Sequence, residues 1–273
     1  MKSRVINTST SAERVCRSVT IIMIPLLASV ILLATKACQT FSRSDASRLL
    51  DESILPSSER GERIGLGTRN DKRIYTGVDL FETYGEFPLE SLDMLLDLAQ
   101  QESGAPFKNV LDLGSGCGRL AIYMALTREQ WHVQGVEISE VFHNQALKAL
   151  DHATEYGCFQ NVPGSAAAAA SSISLHLGPA NNFPALLQHA DVIFCYSTAF
   201  ESSHFSEESS ALVLAASWSE LLSAHCRPGC VCITTDKVLD PARGWRLLSR
   251  LDVPNPEVVG STGFVQVFDG PRI

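Results

Sequence analysis

"VLDLGSGCGRLAIYM", Val110 to Met124, begins as a short apolar strand, passes through three alternate glycines and leaves as an apolar helix. A strand turning into a helix through Gly114, Gly116 and Gly118 is the opening half of a β-α-β unit. Glycine at every second position admits φ values closed to other residues and lets backbone N–H groups come close to a ligand. Spacing excludes three familiar turns. A dinucleotide fingerprint G-x-G-x-x-G would place its third glycine at 119, where Arg119 stands. No G-x-x-x-x-G-K-[ST] phosphate loop is present, and Ser115 is flanked directly by glycines rather than set in G-x-S-x-G.

Outward from the turn, helices alternate with strands. Pro88 followed by "LESLDMLLDLAQQ" predicts a helix with proline in its first turn and an apolar face at Leu89, Leu92, Leu95, Leu96 and Ala99. After the glycine turn come strand "HVQGVEI", helix "EVFHNQALKALDHA" and strands "ISLHLG" and "ADVIFCYS". A long helix is expected over Ser206–Ala224, then strand "CVCITTD" after the turn "RPG". Two last strands, "WRLLSRLDV" and "GFVQVFD", have no helix between them and suggest an antiparallel edge. The expected fold is α/β: a Rossmann-like, doubly wound, mostly parallel seven-stranded sheet with an antiparallel C-terminal edge. The boundaries read as a signal or anchor segment over 1–40, a polar linker over 41–73 and the sheet domain over 74–273, interrupted by the low-complexity run "PGSAAAAASS", Pro163–Ser172.

In such a sheet ligands sit beyond the carboxyl ends of the strands. There Asp112 precedes the glycines, so the turn suits a ligand with a cationic end and no pyrophosphate. S-adenosylmethionine, with its ammonium, sulfonium and adenosine, fits that description. It also needs an acid at the end of the next strand to accept two ribose hydroxyls, and Glu137 stands there, 19 residues after Gly118. The cofactor-binding set on this reading is Asp112, Gly114, Ser115, Gly116, Gly118 and Glu137. A helix-capping role for Asp112 alone explains neither the alternate glycines nor Glu137.

With these residues in place the chain resembles the class I S-adenosylmethionine-dependent methyltransferases. More narrowly it resembles the disruptor-of-telomeric-silencing family, the non-SET histone lysine methyltransferases. The resemblance runs from about 75 to 240 and is carried by "TYGEF" (Thr83–Phe87), "DLGSGCG" (Asp112–Gly118), "GVEI" (Gly135–Ile138) and "ADVIFCYSTAF" (Ala190–Phe200). It implies a loop over the methionine end of the cofactor at Tyr84, Gly85 and Glu86. It also implies adenine contacts at Asn182 and Phe183 of "ANNFP". The family carries Asn-Asn-Phe-Ala-Phe after the fourth strand, where this chain has Tyr196-Ser197-Thr198-Ala199-Phe200, and Arg119 replaces a glutamine. Tyr84, Glu86, Tyr196 and Ser197 are therefore the expected catalytic groups near the methyl. The implied acceptor is a protein lysine-type amine. A small-molecule or lipid acceptor, or a tethered protein that binds S-adenosylmethionine without chemistry, are the rival readings.

Charge bears on the acceptor. Residues 1–50 hold seven Lys/Arg and two Asp/Glu, a balance of +5, while residues 51–273 hold 15 and 28, a balance of −13. An acidic globular part repels a nucleic-acid backbone, so direct nucleic-acid binding and efficient docking on nucleosomes are not expected. The net-basic stretch 59–73 (Arg60, Arg63, Arg69, Lys72, Arg73) is read as lying in the linker, outside the crevice. "VTIIMIPLLASVILLA", Val19–Ala34, is 16 uncharged residues behind Lys2, Arg4, Arg14 and Arg17. It suits a signal anchor, a cleaved signal peptide or the start of an organelle presequence, with membrane association if it is retained. Cys226, Cys230 and Cys232 lack a C-x-x-C pair and are read as buried thiols, so no metal site is expected.

Overall fold

A computed structural model describes residues 41–69, 84–128, 130–159 and 172–271. The apolar segment Val19–Ala34 and most of the alanine-rich run (163–171) lie outside them. Ten strands among the described residues form two sheets. The larger has seven strands and the smaller three.

β1 (Asn109–Leu113) lies between β2 (His132–Glu137) and β4 (Val192–Cys195), parallel to both, with Asp112 opposite Gly135 and Phe194. β3 (Ser172–Leu177) extends the sheet beyond β2, and β7 (Val231–Thr235) beyond β4. β1, β4 and β7 are almost wholly buried because helices cover both faces, as a parallel sheet requires. β10 (Ser261–Phe268) then runs antiparallel to β7, and β9 (Trp245–Val253) antiparallel to β10, giving the expected edge.

One face carries the helix following Pro88, α3 (Leu89–Ser103), which buries the Leu89, Leu92, Leu95, Leu96 and Ala99 stripe and stops at Gly104 in the left-handed conformation. α4 (Arg119–Thr127) leaves the glycine turn, and α5 (Glu140–Glu155) follows β2. α6 (Pro184–His189) and α7 (Ala216–His225) supply the remaining described helices of the sheet domain. Cys226, Cys230 and Cys232 are buried around the turn into β7.

Two expectations need correction. The stretch expected as a linker is helical: α1 (Arg43–Leu49), a π turn (Leu50–Ile54), a short 3₁₀ turn (Ser57–Glu59) and α2 (Arg60–Arg69). Ala46, Leu50, Ile54 and Leu55 are buried in the main core, so sparse apolar residues at helical spacing, diluted by Ser and Arg, outweighed the polar composition. The helix expected over Ser206–Ala224 begins only at Ala216. Before it, β5 (Ser202–Ser206) and β6 (Ala211–Leu214) form a hairpin, and β8 (Lys237–Val238) joins β6 in parallel. Ala211 and Val213 are buried while Leu212 is exposed, a strand's alternation too short to register against the neighbouring helix.

Candidate active site

The alternate glycines of the turn all have positive φ, +77° at Gly114, +54° at Gly116 and +78° at Gly118. That zigzag aims successive N–H groups at the end of β2. Gly114 and Ser115 donate to Val136 O, and Gly116 donates to Glu137 Oε2 at 2.7 Å. Glu137 Oε1 accepts the N–H of Ser139 at 2.8 Å, where α5 begins. The acid at the end of β2 thus ties the turn to the next helix. Gly118 meets a second demand: a Cβ there would lie 3.0 Å from Ala146 Cβ of α5. Ser115 is buried, and its hydroxyl fits against β2 because residue 135 is glycine.

Asp112 is wholly buried beneath this turn, and its Oδ2 has no hydrogen-bond partner. Burial first, and the charge of Glu137 second, raise its carboxyl to about 7. A buried acid with an orphan oxygen is costly unless something cationic answers it. The residues present therefore fit the ammonium of S-adenosylmethionine.

Tyr84, Gly85 and Glu86 lie over the turn. The Tyr84 ring stacks on Phe142 at 4.7 Å, and a Cβ at Gly116 would come within 2.8 Å of it. Its hydroxyl donates to Glu86 Oε1 at 3.0 Å. Burial, then the neighbouring Cys117 and Glu86, keep that phenol well above its usual range. The buried Glu86 carboxylate is met by arginines: Arg63 at 2.7 Å, Arg60 at 3.4 Å and Arg119 at 3.9 Å. Arg119 also holds Asp51 of the π turn at 2.8 Å and donates to Phe87 O.

Tyr196 follows β4, and its ring lies against Gly85 and Phe87 of the segment that carries Tyr84 and Glu86. The half-buried Tyr196 hydroxyl accepts from Asn255 Nδ2 at 3.0 Å and donates to Glu257 Oε2 at 3.4 Å. Ser197 is fully buried, contrary to the expectation of a group facing the acceptor. Its Oγ donates to Thr235 O and accepts from Thr235 N, so it braces the ends of β4 and β7. Thr198 Oγ1 reaches Asp236 Oδ2 at 2.5 Å, and Lys237 Nζ donates to the carbonyls of Ser197 and Thr198. Phe200 comes within 3.8 Å of a Cβ placed on Gly114. Asn182 and Phe183 sit at the turn after β3, with Asn182 exposed and Phe183 half-buried against His176. Gly178 N donates to Glu137 O, which brings that turn to the end of β2.

The structure thus gathers Tyr84, Glu86, the glycine turn, Glu137 and Tyr196 at the carboxyl edge of the sheet, and sets Asn182 and Phe183 beside Glu137. Sequence reasoning missed Arg60, Arg63, Asn255 and Glu257. Glu257 accepts from Arg60 and from the backbone N–H of Glu86. The signal for it was topological. An antiparallel strand begins where its parallel neighbour ends, so the loop before β10 had to lie at the ligand edge.

Residues 75–238, more than half of the chain, match the family described as Histone methylation protein DOT1. The chain belongs to this family. As a DOT1 family member it is a class I S-adenosylmethionine-dependent methyltransferase, and its match spans every strand from β1 to β8. Similar solved structures include an RNA methyltransferase from Salinibacter ruber in complex with S-adenosyl-L-homocysteine (19% identity over 69% of this chain and 96% of that one, TM-score 0.42). An O-methyltransferase from Bacillus cereus in complex with SAH is 14% identical over 81% of this chain and 96% of that one, TM-score 0.42. The O-methyltransferase TomG from Streptomyces achromogenes, in complex with SAM, is 13% identical over 88% and 95%, TM-score 0.42. No curated protein matches the chain. Among the described residues no helix is long and apolar enough to cross a membrane.

Proposed function

We propose that this DOT1 family member transfers a methyl group to a lysine-type amine of a protein, holding the donor between Asp112, Glu137 and the Tyr84–Glu86 loop. The observation that carries the donor site is the buried, partnerless Asp112 oxygen under a left-handed glycine turn. S-adenosylmethionine bound there supplies a methyl group activated on a sulfonium. Asp112 answers its ammonium, Glu137 accepts ribose hydroxyls at the end of β2, and Asn182 and Phe183 stand where adenine is expected. Tyr84 packs over the turn and excludes water from it.

Family membership supports the protein amine as acceptor. The acceptor approaches from the Tyr196 side, where the Tyr196 hydroxyl is oriented by Asn255 and Glu257. Alignment of the acceptor nitrogen with the methyl supplies much of such a reaction, and the nitrogen must be neutral at attack. Tyr196→Phe is expected to lower kcat on the true acceptor at least tenfold while leaving donor affinity unchanged, a transition-state role readable from kcat and calorimetric Kd. Equal kcat in the variant withdraws the hydroxyl from the chemistry.

Charge works against a nucleosome as that protein. The −13 balance of residues 51–273 offers little to a polyanion, and the basic residues Arg60 and Arg63 are spent on Glu86. Membrane insertion or cleavage of Val19–Ala34 completes the proposal, carried by its uncharged run behind four basic residues. One experiment tests both parts: full-length chain expressed in cells, membrane and soluble fractions separated, and each incubated with methyl-labelled donor, with nucleosomes added in parallel. Labelled non-nucleosomal protein, with the chain membrane-bound or shortened, is expected. Label in lipid or small molecules, or efficient salt-sensitive labelling of nucleosomes, overturns the acceptor assignment; soluble, uncleaved chain overturns the targeting.

A further inference from the structure

Arg63 lies twelve positions before the first residue matched to the family, in a stretch whose composition suggests a solvated linker. It is nevertheless only 5% exposed. Its Nη1 donates to Pro56 O at 2.9 Å, its Nε donates to Glu86 Oε1 at 2.8 Å, and its Nη2 stands 2.7 Å from the same oxygen. That oxygen also accepts the Tyr84 hydroxyl. Tyr84 in turn lies on Gly116 and Phe142. One guanidinium, pinned from behind by a carbonyl, thereby fixes the carboxylate that fixes the aromatic lid of the donor turn.

We infer that Arg63 is a positioning residue of the active site, acting through Glu86 on the Tyr84 ring that closes the donor turn. The inference rests on the proposed placement of the donor at this turn. It makes α2 part of the catalytic unit rather than a tether to it. The other two arginines do not replace Arg63. Arg60 is 40% exposed and divided between Glu86 and Glu257, and Arg119 stands at 3.9 Å with its Nη2 on Asp51. A guanidinium suits the task because it can meet Glu86 with two nitrogens while a third holds Pro56 O. A lysine presents its three donors from one nitrogen and lacks the fork that reaches Glu86 and Pro56 O from separate positions.

The test uses the full-length chain carrying Arg63→Ala, Arg63→Lys, Glu86→Gln or Arg63→Ala with Glu86→Gln, and Glu137→Ala as reference. Two readouts are independent of turnover: S-adenosylmethionine Kd by calorimetry, and hydrogen–deuterium exchange of residues 84–87 without donor. Arg63→Ala is expected to raise Kd about tenfold or more and to speed exchange across 84–87, with Arg63→Lys intermediate. In the Glu86→Gln background, Arg63→Ala is expected to add little, because its effect passes through that carboxylate. If Arg63→Ala does not fold, Arg63→Lys carries the same two readouts. Wild-type Kd and exchange in a folded Arg63 variant, alongside weakened binding in Glu137→Ala, overturn the inference alone. Additive losses in the double variant overturn it too. Unchanged affinity in Glu137→Ala and the Arg63 variants alike overturns the donor-site reading with it.

Discussion

Glu137→Ala is expected to weaken S-adenosylmethionine binding at least tenfold and to destabilise the fold at the same time. The first effect follows from losing a carboxylate that accepts charge-assisted hydrogen bonds, each worth roughly 1.5–3 kcal/mol. The second follows from the turn itself. Glu137 holds the N–H of Gly116 at 2.7 Å and of Ser139 at 2.8 Å. Truncation leaves both donors buried without that acceptor, at about 1–3 kcal/mol apiece. Glu137→Gln separates the two effects, since the amide keeps one acceptor oxygen but turns an N–H against one of the backbone donors. Its urea midpoint should fall between wild type and Glu137→Ala, while its donor affinity stays low. Wild-type affinity in a folded Glu137→Ala protein removes this residue from the donor site.

Donor affinity is also expected to depend steeply on pH through Asp112. In the free protein this carboxyl is raised from 3.8 to about 7 by burial and by Glu137. The folded state therefore holds the proton more tightly than the unfolded chain. The associated stability is fully present below the unfolded value and is lost as pH rises through about 7. An ammonium placed against Asp112 reverses the preference and expels the proton. Affinity should consequently rise by nearly tenfold per pH unit up to about 7, level off, and fall above roughly 8, where an α-amino group loses its charge. The groups that face Asp112 from neighbouring strands, Glu137 and Cys195, bring no positive charge that would blunt the effect. Calorimetry at about pH 6 in two buffers of different ionisation enthalpy should show close to one proton released per donor bound. Asp112→Asn should abolish both the release and the slope. A flat affinity profile between about pH 5.5 and 7 in the wild-type protein would show that Asp112 does not meet the ammonium.

Much of this candidate site is legible in the sequence. The alternate glycines and the acid after the next strand are local, and each performs a backbone task that few residues can do. Gly118 shows how strongly the position is set: it needs both a left-handed φ and room for Ala146. The antiparallel edge was legible because two strands lacked a helix between them. What was hidden depends on distance along the chain. Arg63 meets Glu86 across 23 positions, and Glu257 meets Glu86 across 171. No periodicity links such pairs, and their polar residues read as loop surface when taken alone. Ser197 misled for a different reason. The residue sits at the ligand edge of β4, yet its side chain turns inward to Thr235, a choice that neighbouring β7 makes and β4 does not. β6 falls within the span expected as helix because its buried alternation is only a few residues long.

The order of the sheet imposes an order in time. β10 is made after β9 but lies inside it, between β9 and β7. In the sheet β9 pairs with β10 alone, so neither β9 nor the outer edge of β7 is paired until β10 is in place. Pairing that must wait for distant partners is slow and leaves strand edges exposed. The loop that joins β9 to β10 carries Asn255 and Glu257, which orient Tyr196 and hold the backbone of Glu86. Closure of this sheet and assembly of the Tyr196 side of the proposed site are therefore coupled, so a formed glycine turn is not yet a complete site without β10.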